Sequence, residues 1–289
     1  MSNLLVELFL KKFLEWIEED IPYVDVTTRL LDDECYEAIL LAKSDGVVAG
    51  LNILVKVLER FGFEVKQFLR DGEEFSKGTI LAKIRGNVRK LLMLERTLLN
   101  ILSRLCGIAR LTRVAVRKAR TVNPRIRIAA TRKTTPGIRL LEKYAVEVGG
   151  GDTHRFGLSD MVLIKDNHLR VLGGVENALK KAKKIKSFSH KIEIEVTSIE
   201  DAIRAAELGA DIIMLDNMSP REIESVIREL ERRGLRRRVI VEASGGINLE
   251  NIEEYAATGV DIISLGMLTH SAPSCDISLE VVKKCEDWQ

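Results

Sequence analysis

The chain has 289 residues, enough for one α/β barrel or for two modest domains. Hydrophobic residues make up 46% of it, which is ample for a buried core. There are 45 basic and 43 acidic residues, so the net charge is only +2. This balance excludes a global field that would attract nucleic acid or membrane, and any binding of anions must depend on a local group of cations.

The four cysteines (Cys35, Cys106, Cys275 and Cys285) are scattered and form no C-x-x-C pair. We interpret them as buried reduced thiols of a cytoplasmic protein rather than as disulfides or a zinc site. Charges interrupt the apolar pattern of residues 1–20, which indicates an amphipathic helix and not a signal peptide. Because no run of 18 apolar residues occurs, no membrane span is predicted.

The first part of the chain mixes short β-permissive runs with helical patterns, which predicts an α+β domain. A long helix is predicted from about residue 88 to 119, with a break near Gly107. Its many leucines indicate burial on most sides, within a domain junction or a subunit interface. Arg104 on this helix needs a partner there, and pairing within the chain with a residue such as Glu95 is an equally compatible interpretation.

From residue 126 onward, short apolar strands alternate with helices, which predicts a parallel sheet with right-handed crossovers. The predicted strands are 126–130, 161–164, 192–196, 212–215, 239–241 and 262–265, and a seventh is considered near 144–150. L-G-A-D-I-I-M-L-D from Leu208 and T-G-V-D-I-I-S-L-G from Thr258 form a weak repeat. Each copy reads as a helix end, a glycine and a strand, so we predict a β/α barrel that is incomplete.

Polar residues follow the predicted strands, at the end where β/α barrels carry their sites. These residues are Arg132, Lys133, Lys165, Glu195, Asp216, Ser244, Gly245, Gly246 and Gly266. Cations at the mouth of a packed strand are desolvated unless an anion faces them. The pattern therefore predicts a ligand with several negative groups.

Two of these turns are typical of phosphate sites. S-G-G-I-N at 244–248 and L-G-M-L-T-H at 265–270 put small residues where backbone N–H groups can approach an anion, and His270 is near the second. Tight turns without a ligand are the alternative. Glu195 and Asp216 are hard oxygen ligands suited to Mg²⁺ carried by a polyphosphate, or they pair with a nearby lysine.

Two histidines and one basic run can each be interpreted as structural at least as well as functional. His154 and His168 are interpreted equally well as structural hydrogen-bonding groups and as chemical ones. The run R-R-G-L-R-R-R at 232–238 invites a nucleic-acid interpretation. We favour a solvated helix end because no aromatic residues interleave with the arginines.

Several linked motifs occur in order over nearly the whole chain. They are D-V-T-T at 25–28, G-V-V-A-G at 46–50, E-R-T-L-L-N-I-L-S-R-L-C-G-I-A at 95–109, T-R-K-T-T-P-G at 131–137, G-G-G-D-T-H-R-F-G-L-S-D at 149–160, L-I-K-D-N-H at 163–168, I-E-V at 194–196, M-L-D-N at 214–217, E-A-S-G-G-I at 242–247 and S-L-G at 264–266. In them the chain resembles the quinolinate phosphoribosyltransferases, also called carboxylating nicotinate-nucleotide pyrophosphorylases. Cys106 and Thr153 depart from the serine and asparagine usual in that family, which puts hydrogen bonding near the site in doubt rather than the reaction.

The resemblance implies an α/β protein with two domains. An N-terminal α+β sandwich domain, residues 1–110, would be joined by the tail 275–289. Residues 111–274 would form an open β/α barrel. A homodimer or higher homo-oligomer is implied, in which Arg104 reaches the neighbouring subunit's site.

The resemblance also implies roles for the strand-end residues. Arg104, Thr131, Arg132, Lys133, His154, Arg155 and Lys165 would bind the substrate carboxylates. Lys133, Lys165, Glu195 and Asp216 would be catalytic, with the last two serving ribose and Mg²⁺. Ser244, Gly245, Gly246, Gly266 and His270 would hold the 5-phosphate.

The implied reaction joins quinolinate and phosphoribosyl pyrophosphate to give nicotinate mononucleotide, pyrophosphate and carbon dioxide. Two alternatives stay open. One is a related phosphoribosyltransferase that acts on nicotinate or another base without decarboxylation. The other is a phosphosugar aldolase with Lys165 as Schiff base, since neighbouring cations can activate a lysine. A nucleic-acid or membrane partner is not expected.

Overall fold

The computed structural model describes residues 3–286, without the side chains of residues 3–5 and 8. The first helices and strands are α1 Asn3–Asp20, β1 Cys35–Ala42, β2 Gly46–Val47, α2 Leu51–Arg60, β3 Glu64–Gln67, β4 Glu74–Phe75, β5 Ile80–Asn87 and α3 Val88–Val122. They are followed by β6 Arg127–Ala129, α4 Arg139–Val148, β7 Val162–Ile164, α5 Asp166–Leu172, α6 Val175–Ile185, β8 Ile192–Val196, α7 Ile199–Glu207, β9 Ile212–Asp216, α8 Pro220–Arg232, β10 Ile240–Ser244, α9 Ile252–Ala257, β11 Ile262–Ser264, α10 Met267–His270 and β12 Ile277–Lys284.

The chain folds into two compact units. The first unit runs to Arg110 and resumes at Ala272, and the second is Leu111–Ser271. The sequence predicts this return to the first domain at residue 275. Among residues 3–286, no helix combines the length and the apolar composition that crossing a bilayer would require.

The first unit is built on an antiparallel sheet of four strands in the order β12-β1-β5-β3. Its central strand β1 pairs with β12 on one side and β5 on the other, so that Leu40 lies opposite Leu279 and Ala82. Leu40 and Ala82 are almost fully buried. The pairing of β12 confirms that the C-terminal tail belongs to the first domain, as the resemblance implied.

Helix α3 is continuous over 35 residues, and the predicted break near Gly107 is wrong. A Cβ at this position would lie 2.0 Å from the carbonyl oxygen of Pro273. The glycine is therefore required by the close approach of another backbone segment of the first unit, and an interior glycine costs a helix only about 1 kcal/mol.

The second unit contains a parallel six-stranded sheet in the order β6-β11-β10-β9-β8-β7, and all six predicted strands are present. Strands β7 to β11 neighbour one another in chain order, and the first strand, β6, pairs with the last, β11. This is the strand order of a β/α barrel left open between β6 and β7, as predicted.

The seventh strand considered near 144–150 is absent, because this segment forms α4. A single parallel bridge between Ala129 and Asp152 follows that helix. The segment contains no run of β-branched residues, and the face of α4 with Leu141, Ala145 and Val146 is buried at helical spacing.

Caps determine where the helices between the strands begin. The Ser198 hydroxyl accepts a hydrogen bond from the N–H of Asp201 at 3.1 Å, at the start of α7. At the start of α8, Ser219 and Glu222 form a reciprocal capping box, and Pro220 occupies the first helical position. Each cap contributes about 1 kcal/mol and ends the preceding strand-to-helix loop at a defined residue.

The cysteine prediction is wrong for two of the four residues. Cys35 and Cys285 form a disulfide across a sequence separation of 250 residues, while Cys106 and Cys275 are free and buried. The two bonded cysteines flank paired strands, since Cys35 begins β1 and Cys285 follows β12. Their proximity depends on strand pairing between the two ends of the chain, which cysteine spacing does not reveal.

We expect this disulfide to stabilise the native state by restricting the unfolded chain. The double variant Cys35→Ser, Cys285→Ser should lose about 2–5 kcal/mol of unfolding free energy, because the bond closes a very long loop. Denaturant unfolding with and without dithiothreitol measures this. The reductant should lower the midpoint of the wild type and leave that of the double variant unchanged; equal midpoints for both proteins would contradict the prediction.

Candidate active site

The carboxyl ends of the six parallel strands open into one cavity of about 920 Å³ within the second unit. Nearly all the residues singled out by the sequence line it: Thr131, Arg132, Lys133, His154, Arg155, Lys165, Glu195, Asp216, Ser244, Gly245, Gly246, Gly266 and His270. The strands bring these residues together because parallel strands present their carboxyl ends at the same edge of a barrel. The cavity has the size of a site for a drug-sized ligand or cofactor.

Arg104 is the one predicted site residue that is not among the lining residues. It belongs to the first unit, where its Nη1 donates a hydrogen bond to the carbonyl oxygen of Ala272 at 2.9 Å.

Arg132 and Arg155 are cations that no carboxylate neutralises directly. Among the residues described in 3–286, no carboxylate oxygen lies within ion-pair distance of either guanidinium, and the buried Nε of Arg132 has no hydrogen-bond partner. Burial lowers the pKa of Arg155, and the charge of Arg132 lowers it further. Two close guanidinium groups with a free buried donor predict an anion bound between them.

The other cations of the ring differ from these two. Lys165 Nζ lies 3.3 Å from Glu195 Oε2, so the predicted alternative of a carboxylate–lysine pair is realised here. An ammonium held by a carboxylate is not poised to attack a carbonyl, which weighs against the Schiff-base alternative. Lys133 is exposed, and its backbone N–H donates to the Thr131 hydroxyl at 3.0 Å.

Sequence reasoning passed over two carboxylates that lie next to His154. Glu193 and Glu242 are fully buried, and His154 Nε2 lies 3.5 Å and 3.3 Å from their carboxylate oxygens. Glu193 and Glu242 each interrupt an apolar strand, I-E-I-E-V and I-V-E-A-S respectively. A charged residue inside a buried strand is uncommon, and this pattern could have identified them from the sequence.

The arrangement around His154 favours a proton over a metal ion. His154, Glu193 and Glu242 present ligand-type atoms within 4.8 Å of one another. However, His154 Nδ1 accepts the N–H of Arg155 at 2.8 Å, so the ring proton lies on Nε2 and faces the carboxylates. Burial lowers the pKa of His154, but the two buried carboxyl groups beside Nε2, those of Glu193 and Glu242, outweigh it and raise the pKa to about 10. Protonation of Nδ1 would nevertheless break the hydrogen bond from the Arg155 N–H, so with this bond present the ring is neutral with its proton on Nε2. Both the neutral and the charged ring therefore keep Nε2 protonated.

Glu195 and Asp216 lie on neighbouring strands and line the same side of the cavity. Glu195 on β8 is in register with Met214 on β9, and Asp216 is two residues further along β9. In a strand this spacing puts Met214 and Asp216 on one face, and both line the cavity with Glu195. Asp216 Oδ2 also accepts a hydrogen bond from Asn217 Nδ2 at 2.6 Å.

The glycine turn after β10 has a backbone that requires glycine. Gly245 and Gly246 have φ angles of 85° and 66°, in the left-handed region. A Cβ on Gly245 would lie 2.4 Å from Asn217 Oδ1, whereas one on Gly246 would meet nothing within 4 Å. The turn therefore leaves open space over its backbone, which is the form of an anion-binding loop.

The second glycine turn is held closely to the Lys133 loop. A Cβ on Gly266 would lie 3.0 Å from both the His270 ring and Lys133 Cδ. The hydroxyl of Thr269 donates to the carbonyl oxygen of Lys133 at 2.7 Å. These contacts bring a predicted phosphate turn and a predicted cation loop to one corner of the cavity.

The sequence left two interpretations open for His168 and for the basic run at 232–238, and residues of both make structural contacts. The Nδ1 of His168 accepts the N–H of Lys165 at 2.9 Å and caps helix α5. In the basic run, Arg232 and Arg233 pair with Glu229 at 2.7 Å, and Arg236 pairs with Asp261 at 2.8 Å. The run is therefore largely a salt-bridged helix end, the interpretation that the sequence favoured.

The family comparison covers most of the chain. Residues 25–106 match the family described as "Quinolinate phosphoribosyl transferase, N-terminal domain", and residues 108–280 match its C-terminal domain. A probable nicotinate-nucleotide pyrophosphorylase [carboxylating] of Methanothermobacter thermautotrophicus is 48% identical over 269 residues, covering 92% of this chain and 96% of that protein. One of the same description from Archaeoglobus fulgidus is 48% identical over 262 residues, covering 91% and 100%.

Solved structures agree with the sequence comparison. The crystal structure of NadC from Streptococcus pyogenes has a TM-score of 0.88 and 37% sequence identity, and the match covers 98% of this chain and 99% of that one. With both domains matched and relatives close to half identical over nearly their full length, this chain belongs to the quinolinate phosphoribosyltransferase family.

Proposed function

We propose that the chain transfers the phosphoribosyl group of phosphoribosyl pyrophosphate to the ring nitrogen of quinolinate, releasing pyrophosphate and carbon dioxide and forming nicotinate mononucleotide. The family and the printed names of the relatives support this reaction. The observation that carries it is the pair Arg132 and Arg155, two cavity-lining guanidinium groups without a carboxylate partner in the described residues.

Quinolinate is a pyridine with two adjacent carboxylates, which suits this pair. A guanidinium presents a planar fork of donors that matches a carboxylate with two parallel hydrogen bonds. Two such groups, with the exposed Lys133 beside them, fit a dianion better than a monocarboxylate. His154, by contrast, directs both ring nitrogens to protein groups, so we assign its part in binding to the position of the loop.

The 5-phosphate of the sugar is assigned to the two glycine turns. Ser244, Gly245 and Gly246 form one turn, and Gly266 with His270 belongs to the other. The backbone at Gly246 is free of side-chain cover, since a Cβ there would meet nothing within 4 Å, so that N–H groups of this turn can approach an oxyanion. Phosphate sites in β/α barrels are often formed by the late strand loops.

Mg²⁺ is the cofactor that we propose, bound together with phosphoribosyl pyrophosphate. Glu195 and Asp216 fit this ion because they place two hard carboxylates on neighbouring strands in the cavity. The ion would share Glu195 with Lys165, whose Nζ lies 3.3 Å from Oε2. When bound, the ion would neutralise charge that develops on the departing pyrophosphate. The chain's own carboxylates would also face the sugar and stabilise positive charge at its reacting carbon.

No side-chain nucleophile is required by this reaction. The ring nitrogen of quinolinate attacks the sugar carbon while the bond to pyrophosphate breaks, and the cavity contributes by holding the two reactants in line. The nitrogen is then quaternary, and it stabilises the electron pair left on the ring carbon when the adjacent carboxylate leaves as carbon dioxide. This carbon then takes up a proton from solvent, which forms the C–H bond of the product. Arg132 and Arg155 would hold the ring during both steps.

We also propose that the chain assembles into an oligomer. A homodimer, or a higher homo-oligomer, would let Arg104 of one subunit reach the cavity of another. A cation on so apolar a helix supports this arrangement, since Leu102 and Leu105 beside it are fully buried.

The reaction is tested by measuring carbon dioxide and pyrophosphate together. With quinolinate, phosphoribosyl pyrophosphate and Mg²⁺, we expect the two products in equal amounts, and chelation by EDTA should abolish both. The value of kcat/KM for nicotinate should be lower by at least about 100-fold, because it leaves one guanidinium without its carboxylate.

Each alternative function has a distinct outcome in this experiment. Pyrophosphate release without carbon dioxide, or a preference for nicotinate, would favour the non-decarboxylating enzyme. Borohydride-dependent attachment of a phosphosugar carbonyl compound to Lys165 would favour the aldolase.

Removal of either unpaired guanidinium should impair the enzyme strongly. Arg132→Ala and Arg155→Ala should each lose about 2–4 kcal/mol of transition-state stabilisation, because a buried charge pair with the substrate is broken. This corresponds to about 30- to 900-fold in kcat/KM for quinolinate. Arg237→Ala, an exposed arginine outside the lining of this cavity, is the matched control and should retain wild-type kinetics.

A subunit-mixing experiment tests whether sites are shared. Arg104→Ala and Arg132→Ala should each be nearly inactive alone. If one site uses Arg104 from one subunit and Arg132 from another, each mixed dimer contains one intact site. Equal mixing with subunit exchange should then restore about a quarter of wild-type activity. Exchange is verified by mass spectrometry of differently tagged subunits, and mixed dimers without activity would contradict shared sites.

A further inference from the structure

Lys143 is a buried ammonium that the proposed reaction does not use. It lies on α4 and is fully buried. Its Nζ donates to the carbonyl oxygens of Thr153 and Arg155, the latter at 2.8 Å, and lies 5.7 Å from the centre of the Phe156 ring. In the described part of the chain no carboxylate comes within ion-pair distance of this Nζ. A buried charge without an ion pair is costly, so stability alone does not account for it.

The two carbonyl groups flank a residue with an uncommon backbone. His154 has a φ of 51°, in the left-handed region that few residues other than glycine adopt, although asparagine, aspartate and histidine adopt it more often than the rest. Its N–H donates to Asp152 Oδ1 at 2.8 Å. The Lys143 ammonium therefore bridges the carbonyl groups of the residues before and after His154. Strain of this kind, of about 1–3 kcal/mol, persists only when the surroundings hold it.

The conformation at His154 determines where Arg155 lies. A change of φ from positive to negative would reverse the local turn and redirect the next residue. Arg155 has no carboxylate partner within ion-pair distance in the described residues. Burial and the charge of Arg132 lower its pKa, while Glu193 and Asp160 raise it from beyond that distance. Its side chain therefore depends on the backbone for its place, and the backbone depends on Lys143.

The ammonium itself is charged at neutral pH. Burial lowers the pKa of Lys143 to about 8; Arg139 and Arg155 lower it as well, while Asp152 and Asp160 raise it. Below that pH all three N–H donors are present, and two of them are used by the Thr153 and Arg155 carbonyls.

We propose that Lys143 is a positioning residue for dicarboxylate binding: by bridging the carbonyls of Thr153 and Arg155, it holds His154 in its left-handed conformation and so places the Arg155 guanidinium at the substrate. This inference rests on the proposed function and adds a residue to it. Lys143 does not line the cavity, so it acts through the 153–156 loop and not by contact with the substrate.

Lys143→Met tests the proposal, because methionine fills the space of the lysine stem without an ammonium. The KM for quinolinate should rise about 10- to 100-fold, the size of effect that displacement of a binding group produces. The KM for phosphoribosyl pyrophosphate should stay within about twofold, because the phosphate turns are elsewhere in the cavity. Lys181→Met, at an exposed lysine of α6, is the matched control and should change neither constant.

A second variant covers the case in which Lys143→Met does not fold. In Lys143→Ala, added propylammonium should lower the KM for quinolinate towards the wild-type value, while 1-propanol of similar size should not. A purely space-filling role would give the same response to both compounds.

The outcomes separate the two proposals. An unchanged KM for quinolinate in folded Lys143→Met, an equal rise in both KM values, or equal rescue by propanol would overturn the positioning role and leave the reaction intact. Absence of carbon dioxide release from quinolinate by the wild-type enzyme would instead overturn the proposed function.

Discussion

Two close guanidinium groups, neither in an ion pair with any described residue, are the constraint on which the rest of the site depends. Arg132 and Arg155 line the cavity at the strand ends, and repulsion between them is visible in the lowered pKa of Arg155, after the larger effect of burial. Such a pair is unfavourable in the empty protein and becomes favourable only with an anion between the two groups. The surrounding structure must therefore hold the loops that carry them.

Helix α4 holds both of these loops through two consecutive buried residues. Glu142 accepts the N–H and the hydroxyl of Thr135, each at 2.9 Å, and so fixes the loop that follows Arg132 and Lys133. Lys143 bridges the carbonyls on either side of His154. The adjacent Arg139 donates from Nε to the Thr134 hydroxyl at 2.9 Å, and from Nη1 to the Phe156 carbonyl at 3.1 Å. A rigid helix thus positions groups that would otherwise move apart.

The remaining charged groups at the cavity differ in how far they are buried. Glu193 and Glu242 are fully buried, and the Nε2 proton of His154, 3.5 Å and 3.3 Å from their oxygens, offsets their negative charge. Nearer the opening, Lys165 and Glu195 neutralise one another at 3.3 Å. Arg132, Arg155 and the exposed Lys133 are therefore the cavity cations without an ion-pair partner among the described residues. A dianion would bind most favourably next to them.

The sequence by itself determined the barrel strands and most of the residues at their carboxyl ends, because an apolar run that stops at a polar residue is a local pattern. Arg132, Lys165, Glu195 and Asp216 were all found in this way, and all line the cavity. Tertiary structure alone decided which charges pair, since Lys165 meets Glu195 across 30 residues while Arg132 meets no carboxylate in the described chain. It also decided the bond between Cys35 and Cys285, and the need for glycine at position 107, where the Pro273 backbone approaches. Each of these depends on distances between residues remote in the chain, which no local pattern of residues encodes.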